Sequence, residues 1–218
     1  MIRSGYTSTA PGGLNPPRVF RHHENHPMEH EAVLGQFRRL GALLEGHFRL
    51  SSGLHSPAYL QCALVLQHPA EAEALGRALA AQIGAVQATA VLSPALGGLI
   101  IGHEVARALG VKAIFAERVD GALTLRRGFD LTPGDRVVVV EDVVTTGGST
   151  RETMEVARAK GATVVAAAAV INRSGSASPV DVPFAALAAI TPPTWQSDAC
   201  PLCAQGIAVT KPGSRPGK

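Results

Sequence analysis

The chain has 218 residues, 46% of them hydrophobic and only 4% aromatic, enough for one core packed with alanine, valine and leucine rather than rings. A pI of 9.0 suggests a polyanion partner, but of the formal net charge of +3, residues 1–27 hold +2 and residues 211–218 hold +3, leaving −2 on everything between. The basicity sits in the tails, so no nucleic-acid partner is expected of the folded part.

Residues 1–27 are rich in Pro, Gly, Ser, Thr and His and contain no apolar run of the length a signal peptide or membrane span needs. They read as a disordered extension upstream of a biological start at Met28, and no membrane partner is expected. From Glu29 to Glu45 the pattern is an amphipathic helix, and from Phe48 to Leu66 it alternates enough for a small strand-bearing cap. Pro69 and Ala70 open a helix running from Glu71 to Ile83, with Leu75, Leu79 and Ile83 at helical spacing. Val91 and Leu92 form a short buried strand that enters the loop Ser93-Pro-Ala-Leu-Gly-Gly98. A helix from Leu99 to Leu109 follows and stops at Gly110. Val111 to Ala116 is the next strand, Asp120-Gly121 a hairpin turn into Leu123-Thr-Leu125, and Pro133-Gly134 a second turn. Then come the valine strand at Arg136, a helix from Thr150 to Lys160 stopped by Gly161, and a strand from Thr163 to Ile171. This alternation predicts an α/β fold, a mostly parallel central sheet flanked by helices with a small amino-terminal cap, over residues 28–195. Residues 196–218 are a carboxyl-terminal tail containing cysteine.

The stretch Arg136-Val-Val-Val-Val-Glu-Asp-Val-Val-Thr-Thr-Gly-Gly-Ser-Thr150 carries the chemistry. Four successive valines are too uniformly apolar for a strand with one wet face and read as a central parallel strand. Glu141 and Asp142 emerge at its carboxyl end. After Val143 and Val144, the segment Thr145, Thr146, Gly147, Gly148 and Ser149 has the composition of an anion loop: glycines permit a tight turn, and hydroxyls and first-turn amides donate to phosphate oxygens. The carboxylates would repel that anion. They suit sugar hydroxyls, or a metal carried by the substrate. A phosphate with hydroxyls beside it describes a ribose 5-phosphate. Ser149, not lysine, follows Gly148, which excludes the Walker loop.

This order resembles the signature of the type I phosphoribosyltransferases for 5-phosphoribosyl 1-diphosphate, and Phe48-Arg-Leu-Ser-Ser-Gly-Leu-His-Ser-Pro-Ala-Tyr59 resembles the amino-terminal signature of the orotate branch. The resemblance runs from about Leu34 to Gly175. It implies a pentosyltransferase acting on phosphoribosyl diphosphate and orotate, with Mg²⁺ brought mainly by the diphosphate, in a cytoplasmic homodimer. It also implies that Glu141, Asp142 and Arg118 are catalytic and that residues 141–149, Arg118, Leu96 and Gly97 bind the donor. Thr145 and Arg173 would bind orotate; a planar acidic base suits a forked cation. The chain departs from the family pattern in having no Lys or His between residues 117 and 130, where only Arg118, Arg126 and Arg127 supply positive charge, and in having Gly97 where a lysine is common. A purine-specific member, or a non-catalytic regulator on the same fold, are the alternatives.

Three cysteines without a secretory signal point to a reducing compartment. Cys200-Pro-Leu-Cys203 has the spacing of half a zinc site, to be completed by Cys62 or across subunits, or else is a pair of reduced thiols. His47, His55, His68 and His103 show no ligand spacing, so no protein-held metal is assigned.

Overall fold

The structure, a computed structural model, describes residues 28–50 and 52–212. The expectations for residues 1–27, and for the last six residues of the tail, lie outside the described residues.

Helix α1 (His30–Arg39) buries Val33, Leu34 and Phe37. It is shorter than the pattern suggests, because the amides of Gly41 and Ala42 turn back to the carbonyls of Arg38 and Phe37 and close it. The residues beyond belong instead to strand β1 (Leu43–Arg49), which pairs antiparallel with β2 (His55–Leu60) to make the cap. After the short α2 (Ala63–Leu66) comes α3 (Pro69–Ile83), opened by proline at its first position, where the missing amide costs nothing.

The main sheet has six strands in the order β5 (Ala122–Leu125), β4 (Lys112–Val119), β3 (Ala90–Pro94), β6 (Arg136–Val144), β7 (Thr163–Asn172), β8 (Phe184–Ala189). Only β5 is antiparallel to its neighbour. The edge strand β8 is absent from the elements read in the sequence: Phe-Ala-Ala-Leu-Ala-Ala has weak strand propensity and no alternation, and only pairing with β7 decides its state.

The sheet is covered on both faces. Val138 and Val140 of β6 join a core with α1, α3 and helix α4 (Gly98–Leu109), while Val137 and Val139 point the other way, to Met154 and Ala157 of helix α5 (Gly148–Ala159). That is the reason for four valines in succession. The crossover from β3 through α4 to β4 moves toward one edge, and that from β6 through α5 to β7 moves toward the other. Right-handed crossovers taken in opposite directions put their helices on opposite faces and leave a crevice between β3 and β6 at the carboxyl ends of the strands. The loops at residues 93–98 and 141–149 both end there. Among the described residues no helix is long and apolar enough to cross a membrane.

Helices α3 and α4 meet through Gly76: a Cβ there would lie 2.5 Å from Glu104 Cβ and 2.8 Å from its carbonyl carbon. Replacing a helical glycine with alanine ordinarily gains about 1 kcal/mol, whereas forcing packed backbones apart costs about 1–3 kcal/mol. The second effect should win here. Gly76→Ala is expected to lower the urea midpoint, and a raised midpoint would mean that the two helices separate freely.

Candidate active site

Glu141 and Asp142 lie in the last residues of β6, where the strand leaves the core. Burial pushes the Glu141 carboxyl up to about 7, with the neighbouring Asp142 charge adding to the rise and the hydroxyl of Thr150 opposing it. That hydroxyl donates to Glu141 Oε2. Burial also raises the Asp142 carboxyl, against hydrogen bonds from the backbone amides of Val143 and Asp142 itself. Among the described residues neither carboxylate forms an ion pair. Two adjacent acids drawn out of water without a cation are costly to charge, and a ligand bringing hydroxyl protons or a cation would relieve them.

Beyond them the chain turns at Gly147, whose φ of 74° is left-handed. A side chain there would also strike Arg151 Nη1 at 2.9 Å and the Pro179 carbonyl at 3.0 Å. The helix begins at Gly148, two residues earlier than expected. Its first backbone bond runs from the Arg151 amide to the Gly147 carbonyl, so the amides of Gly148, Ser149 and Thr150 precede the intrahelical ladder and face the loop. Thr145, Thr146, Gly148 and Ser149 are exposed around this cradle. Arg151 braces it from behind, donating to the carbonyls of Pro179 (2.7 Å) and Thr146 (2.9 Å). Val143 and Val144 belong to the strand; Val144 is buried and its carbonyl accepts the Arg173 amide at 2.7 Å.

The second loop lies directly against the carboxylates. A Cβ on Gly97 would fall 2.6 Å from Asp142 Oδ1, so any side chain there would displace the acid. This accounts physically for glycine at Gly97. Leu96 is 82% exposed beside it, and Gly98 opens α4.

The hairpin cations are largely engaged within the fold. Arg118, at the end of β4, forks onto Glu152 of α5 at 3.1 and 2.7 Å. Arg127 pairs with Glu117, with its Nη2 3.1 Å from Oε2, and lies 5.8 Å from the centre of the Phe115 ring. Among the described residues Arg126 forms no ion pair and is exposed.

Arg173 follows β7 in a turn shaped by Asn172, whose side chain accepts from the Ser174 amide (3.0 Å) and hydroxyl (2.7 Å) and donates to the Ser176 carbonyl (2.8 Å). Its Nε is buried without a hydrogen-bond partner among the described residues, and burial lowers the guanidinium's pKa. A half-buried guanidinium with an unpartnered N–H suits an anion. Cys62 lies just after the cap hairpin: its Sγ is 3.8 Å from the Asp142 backbone carbonyl, and burial followed by the Asp142 charge raises its thiol pKa while Arg173 lowers it. The structure therefore brings Glu141, Asp142, residues 145–149, Gly97 and Arg173 around one crevice. Arg118 stands at its rim, held by Glu152. The parts of this site that the sequence left unread are Thr150, visible only as a first-turn hydroxyl, and Cys62, which has no local signal.

Cys62 does not complete the Cys200–Cys203 pair. His47 and His55 meet that pair instead; their ligand atoms come together through the cap hairpin, which no linear spacing reveals.

A mostly parallel sheet whose switch point holds two strand-end carboxylates and a glycine-turned helix amino terminus has the parts that a site for a phosphorylated sugar needs. The phosphoribosyl transferase domain model matches residues 63–204. Orotate phosphoribosyltransferase of Heliobacterium modesticaldum is 52% identical over 190 residues, covering 86% of this chain and all of that one. The protein of the same name from Pelotomaculum thermopropionicum is 50% identical over 188 residues, covering 86% and 99%. Among solved structures, orotate phosphoribosyltransferase from Aeropyrum pernix superposes with a TM-score of 0.62 at 27% identity, covering 72% of this chain and 93% of that one. The chain belongs to the phosphoribosyltransferase family and, within it, to the orotate phosphoribosyltransferases.

The raised Glu141 carboxyl has a consequence for stability. Between its ordinary value of 4.5 and about 7, the folded state holds a proton that the unfolded chain has released, so stability falls as pH rises through that window. Glu141→Gln cannot ionise. Its thermal midpoint should gain on the wild type from pH 4.5 to 7, and parallel midpoints would mean that Glu141 titrates normally.

Proposed function

We infer that this chain transfers ribose 5-phosphate from 5-phosphoribosyl 1-diphosphate to N1 of orotate, giving orotidine 5′-monophosphate and diphosphate, a step in making UMP. The observation that carries this reading is the Glu141–Asp142 pair, largely buried at the switch point, with no ion-pair partner among the described residues and with the left-handed turn at Gly147 soon after it. The 5-phosphate sits against the amides of Gly148 and Ser149 and the hydroxyls of Thr145, Thr146 and Ser149, where the α5 dipole favours an anion. Glu141 and Asp142 accept from the ribose hydroxyls. Leu96, Gly97 and the start of α4 face the diphosphate.

Mg²⁺ would come with the donor as part of the substrate; the hard oxygens of Glu141 and Asp142 suit it, and it would supply positive charge to the leaving diphosphate. As the bond from the anomeric carbon to diphosphate lengthens, positive charge grows on the ribose. The carboxylates beside it stabilise that charge more than they stabilise the ground state. N1 of orotate then supplies the new bond, so no covalent nucleophile of the protein is required. The unpartnered Nε of Arg173 supports its role on the orotate carboxylate, with Thr145 beside the base. Arg118 reaches the diphosphate with its Glu152 pair opened. A homodimer is supported by the exposure of Leu96 and of Ile100, 45% exposed on α4, two large apolar side chains beside the site that a second copy would cover. That Cys62, Cys200 and Cys203 form no disulfide among the described residues fits a cytoplasmic enzyme.

Diphosphate release from the donor with Mg²⁺ and one base at a time should occur with orotate and not with uracil, adenine, hypoxanthine or guanine. Turnover with a purine would overturn the base assignment, and silence with every base would leave a binding protein. Asp142→Asn should slow turnover about 10²-fold or more. Arg173→Ala should chiefly raise the Michaelis constant for orotate, and an unchanged constant would remove Arg173 from the base site.

A further inference from the structure

The cap hairpin and the returning carboxyl-terminal segment are joined by a cluster that the reaction does not use. His47 lies on β1 and His55 on β2, both buried. Cys200 and Cys203 flank the start of the short helix α6 (Pro201–Ala204). His47 Nε2 lies 2.9 Å from His55 Nδ1 and 3.5 Å from Cys200 Sγ, while Cys203 Sγ lies 3.3 Å from His55 Nδ1 and 3.8 Å from His47 Nε2. All four ligand atoms fall within 4.8 Å of one another. A tetrahedral ion with bonds of about 2.0–2.3 Å sets its ligand atoms about 3.3–3.8 Å apart, close to this spread.

From this cluster we propose that His47 Nε2, His55 Nδ1, Cys200 Sγ and Cys203 Sγ bind one structural Zn²⁺ that fastens the carboxyl-terminal segment to the cap. The donor set decides the metal. Two thiolates and two imidazoles select a borderline-soft divalent ion and reject Mg²⁺ and Ca²⁺, which take oxygen. Four protein ligands leave no open position for a reacting water, as in structural rather than catalytic zinc sites. The ligand tautomer of His47 is already set: its Nδ1–H donates to the Ile207 carbonyl at 2.7 Å, leaving the Nε2 lone pair directed at the cluster.

The surrounding backbone shows what the ion would hold. Thr210 exchanges bonds with β1, its amide to the His47 carbonyl and its carbonyl to the Arg49 amide, both at 2.8 Å. On the other side, Trp195 exchanges bonds with His55 at 2.8 and 3.0 Å. The hairpin is thus clasped on both flanks by one segment that has few buried apolar side chains of its own; Leu202 is only partly buried, and Ile207 and Val209 are exposed. A metal clip supplies what so small a hydrophobic contact lacks. It also ties down the hairpin that leads into Cys62, beside Asp142.

The test begins with the untagged full chain, purified under reducing conditions from zinc-supplemented cells. Elemental analysis should find about one zinc per chain, and exchange for Co²⁺ should give the intense visible absorption of a tetrahedral thiolate site. Cys203→Ser and His47→Gln should each lose most of the zinc and become quickly cut by protease within residues 196–212. Cys62→Ala should keep its zinc. Wild-type protein with less than about a tenth of an equivalent of zinc, a Cys200–Cys203 disulfide in place of metal, or a weak octahedral cobalt spectrum would each overturn the site. So would zinc retained by both ligand variants.

Discussion

Two carboxylates placed side by side at the end of a buried strand, with no cation among the described residues paired to them, are the constraint around which the crevice is arranged. Desolvation holds Glu141 near neutrality and raises Asp142. A fold seeking only stability would have paired or removed them. Here Arg118 is turned to Glu152 and Arg127 to Glu117. Hydroxyl protons or a cation brought to these acids by a ligand would offset the cost of charging them. Strain of this kind is usual where a fold serves a function.

The same constraint reaches into the backbone around it. Gly97 has to be small because the Asp142 carboxylate occupies the space its side chain would fill. Thr150 is a buried hydroxyl whose partner is Glu141, so the first turn of α5 both offers amides to a phosphate and steadies the acid behind it. Arg151 then secures the loop by binding the carbonyls of Pro179 and Thr146. Chemistry and scaffolding are divided between neighbouring residues of one helical turn.

Around this centre the cap is held by the end of the chain. The β1–β2 pair is too small to bury a face of its own, and residues 195–210 close over it with backbone bonds on both flanks. The hairpin thereby becomes a fixed wall whose exit, at Cys62, touches the strand bearing the carboxylates. Gly76 does the equivalent for the helical layer, letting α3 approach α4 closely enough to support β3 and β6 from one side.

Local chemistry by itself determined the central strand, the anion loop and the order of strands and helices, because an uninterrupted valine run, adjacent acids and paired glycines each act through their immediate neighbours. The family resemblance was legible for the same reason, since the donor motif is contiguous. What required the tertiary structure were relations between distant residues. The edge strand β8 forms only because β7 offers it a ladder, and the first helix stops early because its last turn closes back on itself. The pairing of Arg118 with Glu152, across 34 residues, is such a relation. Most of all, two histidines eight residues apart met two cysteines some 150 residues later. Spacing along a chain reports contacts within one element; only the closing of one segment over another decides which side chains share a point in space.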